Sequence, residues 1–324
     1  MLRYGRVSGV LPAFLGLLVV TPLSLLYAQG IAGGPRIIEE GQPPVVIHAT
    51  VEGAAHARVN AASTSNDLNY RGGTGGIGVE TVPQIYLVFW GSQWNHNDPS
   101  GEANLLQAFY SGVGGSSWLN SVTQFCQGVA SGTVFCNGAG TAAGNPSGIL
   151  TAFWYDNASA APSRPRQSQL AAEAVRAAQH FGKTTAASNA SVQYVIATAT
   201  RNNSNGFGTQ YCAWHSTSSS SAGNVAYTNL PYITDAGASC GANFNGLGPD
   251  AGITIVSGHE MAETITDQFP SGGWLDSQGQ EIGDKCAWNS ATSNQSLNGT
   301  NYAVQPLWSN AASSDAGGCV LSYP

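Results

Sequence analysis

Seven consecutive residues, Gln84-Ile85-Tyr86-Leu87-Val88-Phe89-Trp90, form a nearly unbroken apolar run between Pro83 and Gly91. A strand with one wet face alternates apolar and polar side chains. A continuous run rich in β-branched and aromatic residues is instead covered on both faces. Gly148–Tyr155 and Val192–Thr198 read as further strands. Between them Leu170, Ala174, Val175, Ala178 and Phe181 recur at helical spacing, and Gly182 closes that helix. A second helix is expected over about 102–110. Strands alternating with helices predict an α/β sandwich with a mixed sheet.

The start of the chain has the pattern of an export signal. Arg3 and Arg6 precede an apolar run from Val10 to Leu26, and Tyr27-Ala28-Gln29 offers a cleavage point. Pro12 and Pro22 favour a removable signal over residues 1–28 rather than a membrane anchor. The mature protein is therefore expected to be secreted, extracellular, monomeric and free of the membrane. Residues 29–80 are rich in Gly, Ala and Pro with little apolar periodicity, and read as an extended leader or propeptide. Residues 81–324 remain for one α/β catalytic-type domain. Only 9% of residues are charged, and the net charge of -7 with 11 basic residues excludes a nucleic-acid partner.

Six cysteines in an exported chain predict disulfides. The expected pairing is Cys126 with Cys136, Cys212 with Cys240 and Cys286 with Cys319, each closing a local loop. Residues 200–250 and 285–324 read as loop-rich segments that these bridges staple.

The chemistry is concentrated in Ser257-Gly258-His259-Glu260-Met261-Ala262-Glu263-Thr264-Ile265-Thr266-Asp267. Asp250 is the expected N-cap of a helix carrying this string, and Pro270 and Gly272-Gly273 end it. His259 and Glu263, four residues apart, then share one face and can grip one metal ion. Glu260 stands where zinc peptidases of the His-Glu-x-x-His type carry their general base. Six of the 18 acidic residues, Glu260, Glu263, Asp267, Asp276, Glu281 and Asp284, fall within positions 259–284. Carboxylates crowded beside a histidine call for a cation.

Glu281 is the expected third ligand, with Asp284 holding His259 through its other ring nitrogen. Asp267 and His215 are alternatives for the ligand position. His215, in Tyr211-Cys212-Ala213-Trp214-His215-Ser216, is otherwise a catalytic residue that stabilises an oxyanion. The metal expected is zinc, and the substrate an extracellular protein or peptide. A structural calcium ion on Asp276, Gln280, Glu281 and Asp284 competes with that reading, but calcium leaves His259 unexplained.

Gly237-Ala238-Ser239-Cys240-Gly241 fits the Gly-x-Ser-x-Gly pattern, but no apolar strand leads directly into Ser239 and Cys240 is expected in a disulfide. Two clustered carboxylates could also serve a glycosidase, although a histidine four residues from a glutamate favours metal chemistry. His48, His56, His96 and His180 are expected at the surface, and Trp90, Trp154 and Trp288 in the core.

The strings Tyr70-Arg71-Gly72-Gly73, Ile85–Gly91, Tyr211–Ser216, Ser257–Asp267, Gly273-Trp274-Leu275-Asp276 and Glu281-Ile282-Gly283-Asp284-Lys285-Cys286 resemble those of secreted microbial proteins distantly similar to the plant EXORDIUM, or phosphate-induced, family. The similarity spans about residues 68–320 and is most specific over 257–288. The microbial branch implies a single zincin-like metallopeptidase-type domain with an active-site helix, and supports metal and base roles for His259, Glu260 and Glu263. The plant branch implies a non-enzymatic, cell-wall-associated extracellular protein with a structural metal.

Overall fold

The computed structural model describes Met1, Leu2, Gly5 and residues 34–60, 67–95 and 97–324. The readings of His96 and of nearly all of the 1–28 signal lie outside the described residues. In chain order the elements are β1 (Val46–Ala49), α1 (Val51–Asn60), β2 (Asn69–Tyr70), β3 (Gln84–Trp90), α2 (Glu102–Val113), β4 (Cys126–Gln127) and β5 (Thr141–Ala142). There follow β6 (Leu150–Asp156), α3 (Gln167–His180), α4 (Ala186–Asn189), β7 (Val192–Thr198), β8 (Tyr211–Ser220), β9 (Gly223–Leu230) and α5 (Ala251–Thr266). Then come β10 (Trp274–Leu275), β11 (Ser293–Leu297), β12 (Thr300–Val304), β13 (Leu307–Ser309) and, last, β14 (Gly318–Val320).

The main sheet has six strands in the order β1-β8-β9-β7-β3-β6. β9, β7, β3 and β6 are parallel to one another, β8 runs antiparallel to β9, and β1 antiparallel to β8. The fold is thus α/β with a mixed sheet, as the strand and helix periodicities predicted. The apolar run of β3 is divided between two layers: Ile85, Leu87 and Phe89 join one buried cluster, and Tyr86, Val88 and Trp90 the other. The second cluster holds Leu170, Ala174 and Ala178 of α3, while the first holds residues of α2 and α5. Each large apolar side chain moved from water into such a layer contributes about 1.5–3 kcal/mol.

Two sequence readings are corrected here. Residues 34–60 and 67–80 are not an extended leader apart from the domain. They belong to the same compact unit as the rest of residues 31–324, and Val46–Ala49 is a strand of the main sheet. The segment 200–250 is also less irregular than expected, because β8 and β9 form a long hairpin inside that sheet. β8 is rich in Ser and Thr toward its end, so its strand character comes from pairing rather than from an apolar run.

The three disulfides pair Cys126 with Cys136, Cys212 with Cys240 and Cys286 with Cys319. The second ties β8 to the 3-10 segment Ile233–Cys240 that precedes α5. Helix α5 fits tightly behind it: a Cβ at Gly252 would collide with the Cys240 carbonyl oxygen. All sixteen residues of α5 are buried, which marks a core helix rather than an amphipathic surface one. Gly258 lets Phe109 and Trp118 close on its far side, a Cβ there lying 3.2 and 3.1 Å from them. The helix carrying the His-Glu-x-x-Glu string is therefore held from several directions.

Among the tryptophans, Trp90 and Trp288 are buried, while Trp154 is partly exposed and stacks on the exposed His180. Ser239 lies within the 3-10 segment and Cys240 is bridged, so the Gly-x-Ser-x-Gly string does not stand on a strand-to-helix turn. No helix among the described residues is long and apolar enough to cross a membrane.

Candidate metal centre

Asp250 precedes the first turn of α5, and Asp267 ends the helix. The α-helical pitch puts His259 and Glu263 on one face, as their spacing predicted. His259 Nε2 lies 2.9 Å from Glu263 Oε1 and 3.7 Å from Asp284 Oδ1. Two ligands of one tetrahedral ion, each about 2.0–2.1 Å from it, stand about 3.3 Å apart. His259, Glu263 and Asp284 each offer a donor atom within 4.8 Å of the others. Despite its short distance to Glu263, His259 Nε2 has no aligned hydrogen bond among the described residues. The separation suits two ligands of one ion.

Gln305 sets which nitrogen of His259 is free. Its amide nitrogen donates to the carbonyls of Gly283 at 2.8 Å and Pro306 at 3.3 Å, so its oxygen faces His259 Nδ1 at 3.2 Å. Nδ1 therefore carries the proton, and Nε2 presents its lone pair toward Glu263 and Asp284. This corrects the expected roles of the downstream acids. Asp284 lies beside Glu263 and Nε2, and Gln305, not Asp284, holds the other ring nitrogen. Glu281 lies apart from this group: its Oε2 is 3.2 Å from His215 Nε2.

Asp267 is used as the helix end. Its carboxylate accepts from the backbone N–H groups of Ser271, Gly272 and Gly273. Asp276 is likewise committed, accepting from the amides of Gln278 and Gln280 and pairing with Lys285. The calcium loop considered from the sequence thus has its first oxygen donor engaged elsewhere.

Gly283 brings the downstream loop onto the helix. A Cβ at that position would lie 2.7 Å from His259 Nδ1 and 2.9 Å from Glu263 Oε1, so only glycine allows this approach. The Asp284 amide then donates to Glu263 Oε1 at 2.9 Å, and the Glu281 amide to Asp284 Oδ2 at 3.2 Å.

His215 enters from the sheet. Side chains alternate along a strand, so His215 shares the face of Ala213, the face turned toward α5. Its Nε2 is 3.7 Å from Glu263 Oε2, and its donor group falls within 4.8 Å of those of Glu260 and Glu263. Glu263 therefore faces two histidines, one with each oxygen.

His48 was expected at the surface. The structure buries it completely, stacked on His259 with ring centroids 3.7 Å apart and planes 1° apart. On its other side lies Trp288, with centroids 4.9 Å apart. The cause is register: His48 pairs with Ala213 across β1 and β8, so both side chains share the face toward α5. Nothing local in the sequence marks this residue, because a segment without apolar periodicity gives no sign of the strand it will join. Gln305, in the turn after β12, was equally invisible.

The whole cluster is buried. His48, His215, His259, Glu260, Glu263, Glu281 and Gln305 have no exposed surface, and Asp284 is 8% exposed. Burial pushes Glu260, Glu263, Glu281 and Asp284 well above the ordinary carboxylate range, and neighbouring acids reinforce the shift. Burial also lowers His215 to about 3 and His259 to about 4. Both Glu260 oxygens, Glu263 Oε2 and Glu281 Oε1 lack aligned hydrogen-bond partners among the described residues. Imidazole nitrogens and carboxylate oxygens grouped in this buried space could hold a metal ion, whose charge would reverse these shifts. A cavity of about 580 Å³ beside the Cys126–Cys136 disulfide shares none of these residues.

No protein-family model, no curated protein and no solved structure matches this chain.

Proposed function

We propose that the chain is a secreted metal-dependent peptidase of zincin-like design, with zinc held by His259, Glu263 and Asp284 and with Glu260 as general base. One observation carries this reading: the three donors converge beside a buried carboxylate, Glu260, whose two oxygens have no aligned partner among the described residues. Bound there, zinc would polarise a peptide carbonyl and ease deprotonation of water. Glu260 takes the proton of the attacking water and returns it to the leaving amine. Gln305 keeps His259 in the tautomer that leaves Nε2 free. His215, opposite the second oxygen of Glu263, is the donor available to the negative charge that develops on the carbonyl oxygen. The three disulfides fit an extracellular protein.

A second reading, a non-enzymatic extracellular protein of EXORDIUM type with a structural metal, is favoured by the near-complete burial of the cluster. Chelator-sensitive hydrolysis of an unfolded polypeptide separates the two. The peptidase reading expects activity in the wild type and its loss in Glu260→Gln with zinc retained. Zinc retained in both, with no hydrolysis by either on any tested polypeptide, supports the structural-metal reading.

A further inference from the structure

We propose that the outer edge of β8 is a binding strand for an extended polypeptide and that residues 43–49 of the chain itself occupy it, with His48 set over the metal centre as a latch. The proposal rests on the metallopeptidase reading and names both the site of its substrate and what covers that site.

The segment is held by its main chain as well as by its buried side chains. β1 pairs antiparallel with β8 through Val46 with His215, Ile47 with Trp214 and His48 with Ala213. Side chains of α3, of β8 itself and of the loop after Cys286 also reach its carbonyls. Gln167 Nε2 donates to the Pro43 oxygen at 2.8 Å, Ser216 Oγ to the Pro44 oxygen at 2.8 Å, and Trp288 Nε1 to the Ala49 oxygen at 2.8 Å. Strand addition at a sheet edge takes its affinity from such main-chain bonds, and pockets for alternate side chains add selectivity. Here Val45 and Ile47 join the layer that packs on α3, while His48 faces α5.

His48 is the second, independent observation. Neither of its ring nitrogens has a hydrogen-bond partner among the described residues, although the ring is fully buried. A strand that served only to cover the sheet would place an aliphatic side chain there, as it does at Val46 and Ile47. The imidazole instead offers a donor atom within 4.8 Å of those of His259 and Glu260. That places the ring beside Glu260, the proposed general base. With His48 in place, the chain is in its less active form. Withdrawal of β1 would open both the centre and the edge that an extended substrate would pair with.

The test uses the full-length chain with one equivalent of zinc, its content checked by elemental analysis, and the variants His48→Ala and His48→Phe. The second variant keeps a flat ring between His259 and Trp288 and removes the nitrogens. Hydrogen exchange of the Ile47, His48 and Ala49 amides is compared in zinc and in EDTA. Zinc should slow exchange at least tenfold in the wild type and leave it unchanged in both variants. Turnover of denatured casein should rise at least tenfold in a variant, and the gain should vanish when Glu260→Gln is added. Exchange that zinc leaves unchanged in the wild type, or slows equally in the His48→Phe chain, overturns the latch. If that happens while casein is still cleaved in a Glu260-dependent way, the peptidase reading survives alone. The expected exchange pattern with no cleavage by any chain keeps the latch on the metal and removes the peptidase reading.

Discussion

His259 Nδ1 faces the side-chain oxygen of Gln305 at 3.2 Å, and this contact assigns the ring its tautomer. The Gln305 amide cannot turn over without losing its bonds to the Gly283 and Pro306 carbonyls. A residue 46 positions away in the chain thus presents the free nitrogen to Glu263 and Asp284. Replacing Gln305 by Leu should weaken zinc binding about 10–100-fold, the usual cost of losing such an orienting partner. Chelator competition on the purified variant measures it, and an affinity equal to wild type would refute the role.

Glu260→Gln should fold, keep its zinc and lose hydrolysis by about 10²–10⁴-fold, the range that a positioned proton-transfer group supplies. Elemental analysis and a casein assay on the same preparation check both halves. His259→Ala should lose the zinc itself. A variant that retained it would move the ion toward His215 and Glu281.

Gly283→Ala tests the close approach of the downstream loop. Its methyl group would fall 2.7 Å from His259 Nδ1 and 2.9 Å from Glu263 Oε1. The loop must retreat, costing about 1–3 kcal/mol of stability as other overpacked cores do. The Asp284 amide should also lose its bond to Glu263. Thermal unfolding in EDTA isolates the packing cost, and zinc titration reports the damage to the site.

The metal-free protein should lose stability as pH rises from 6.5 to 8. Burial pushes Glu80 and Glu102 up to about 8 from an ordinary 4.5, and the acids of the cluster shift in the same direction. A carboxyl group whose folded pKa is raised contributes stability that is fully present below about 4.5 and lost as pH climbs through the folded value. His215 and His259, lowered by burial, act in the opposite sense, but their effect is complete once pH exceeds the ordinary 6.5. Zinc should reverse the trend, because its binding releases the protons that the carboxyls hold. Melting temperatures in EDTA and in zinc across this window provide the check. A flat EDTA curve would contradict the assignment of buried, protonated acids.

What can be read along the chain is what repeats locally. The runs of β3 and β7 and the helical spacing in α3 predicted their own elements, because burial on a given face imposes a period on the sequence. The His259–Glu263 pair was legible for the same reason, since helical pitch alone aligns residues four apart. The disulfides were legible as the nearest-neighbour pairing of six cysteines. Pairings between distant segments left no such imprint. Whether Glu281 or Asp284 meets His259 depended on the turn at Gly283, and His48 and Gln305 entered only when β1 added to β8 and the β11–β12 hairpin packed on α5. Those positions follow from long-range strand register and packing, in which each side chain's face is set by its partner strand rather than by its neighbours in the chain.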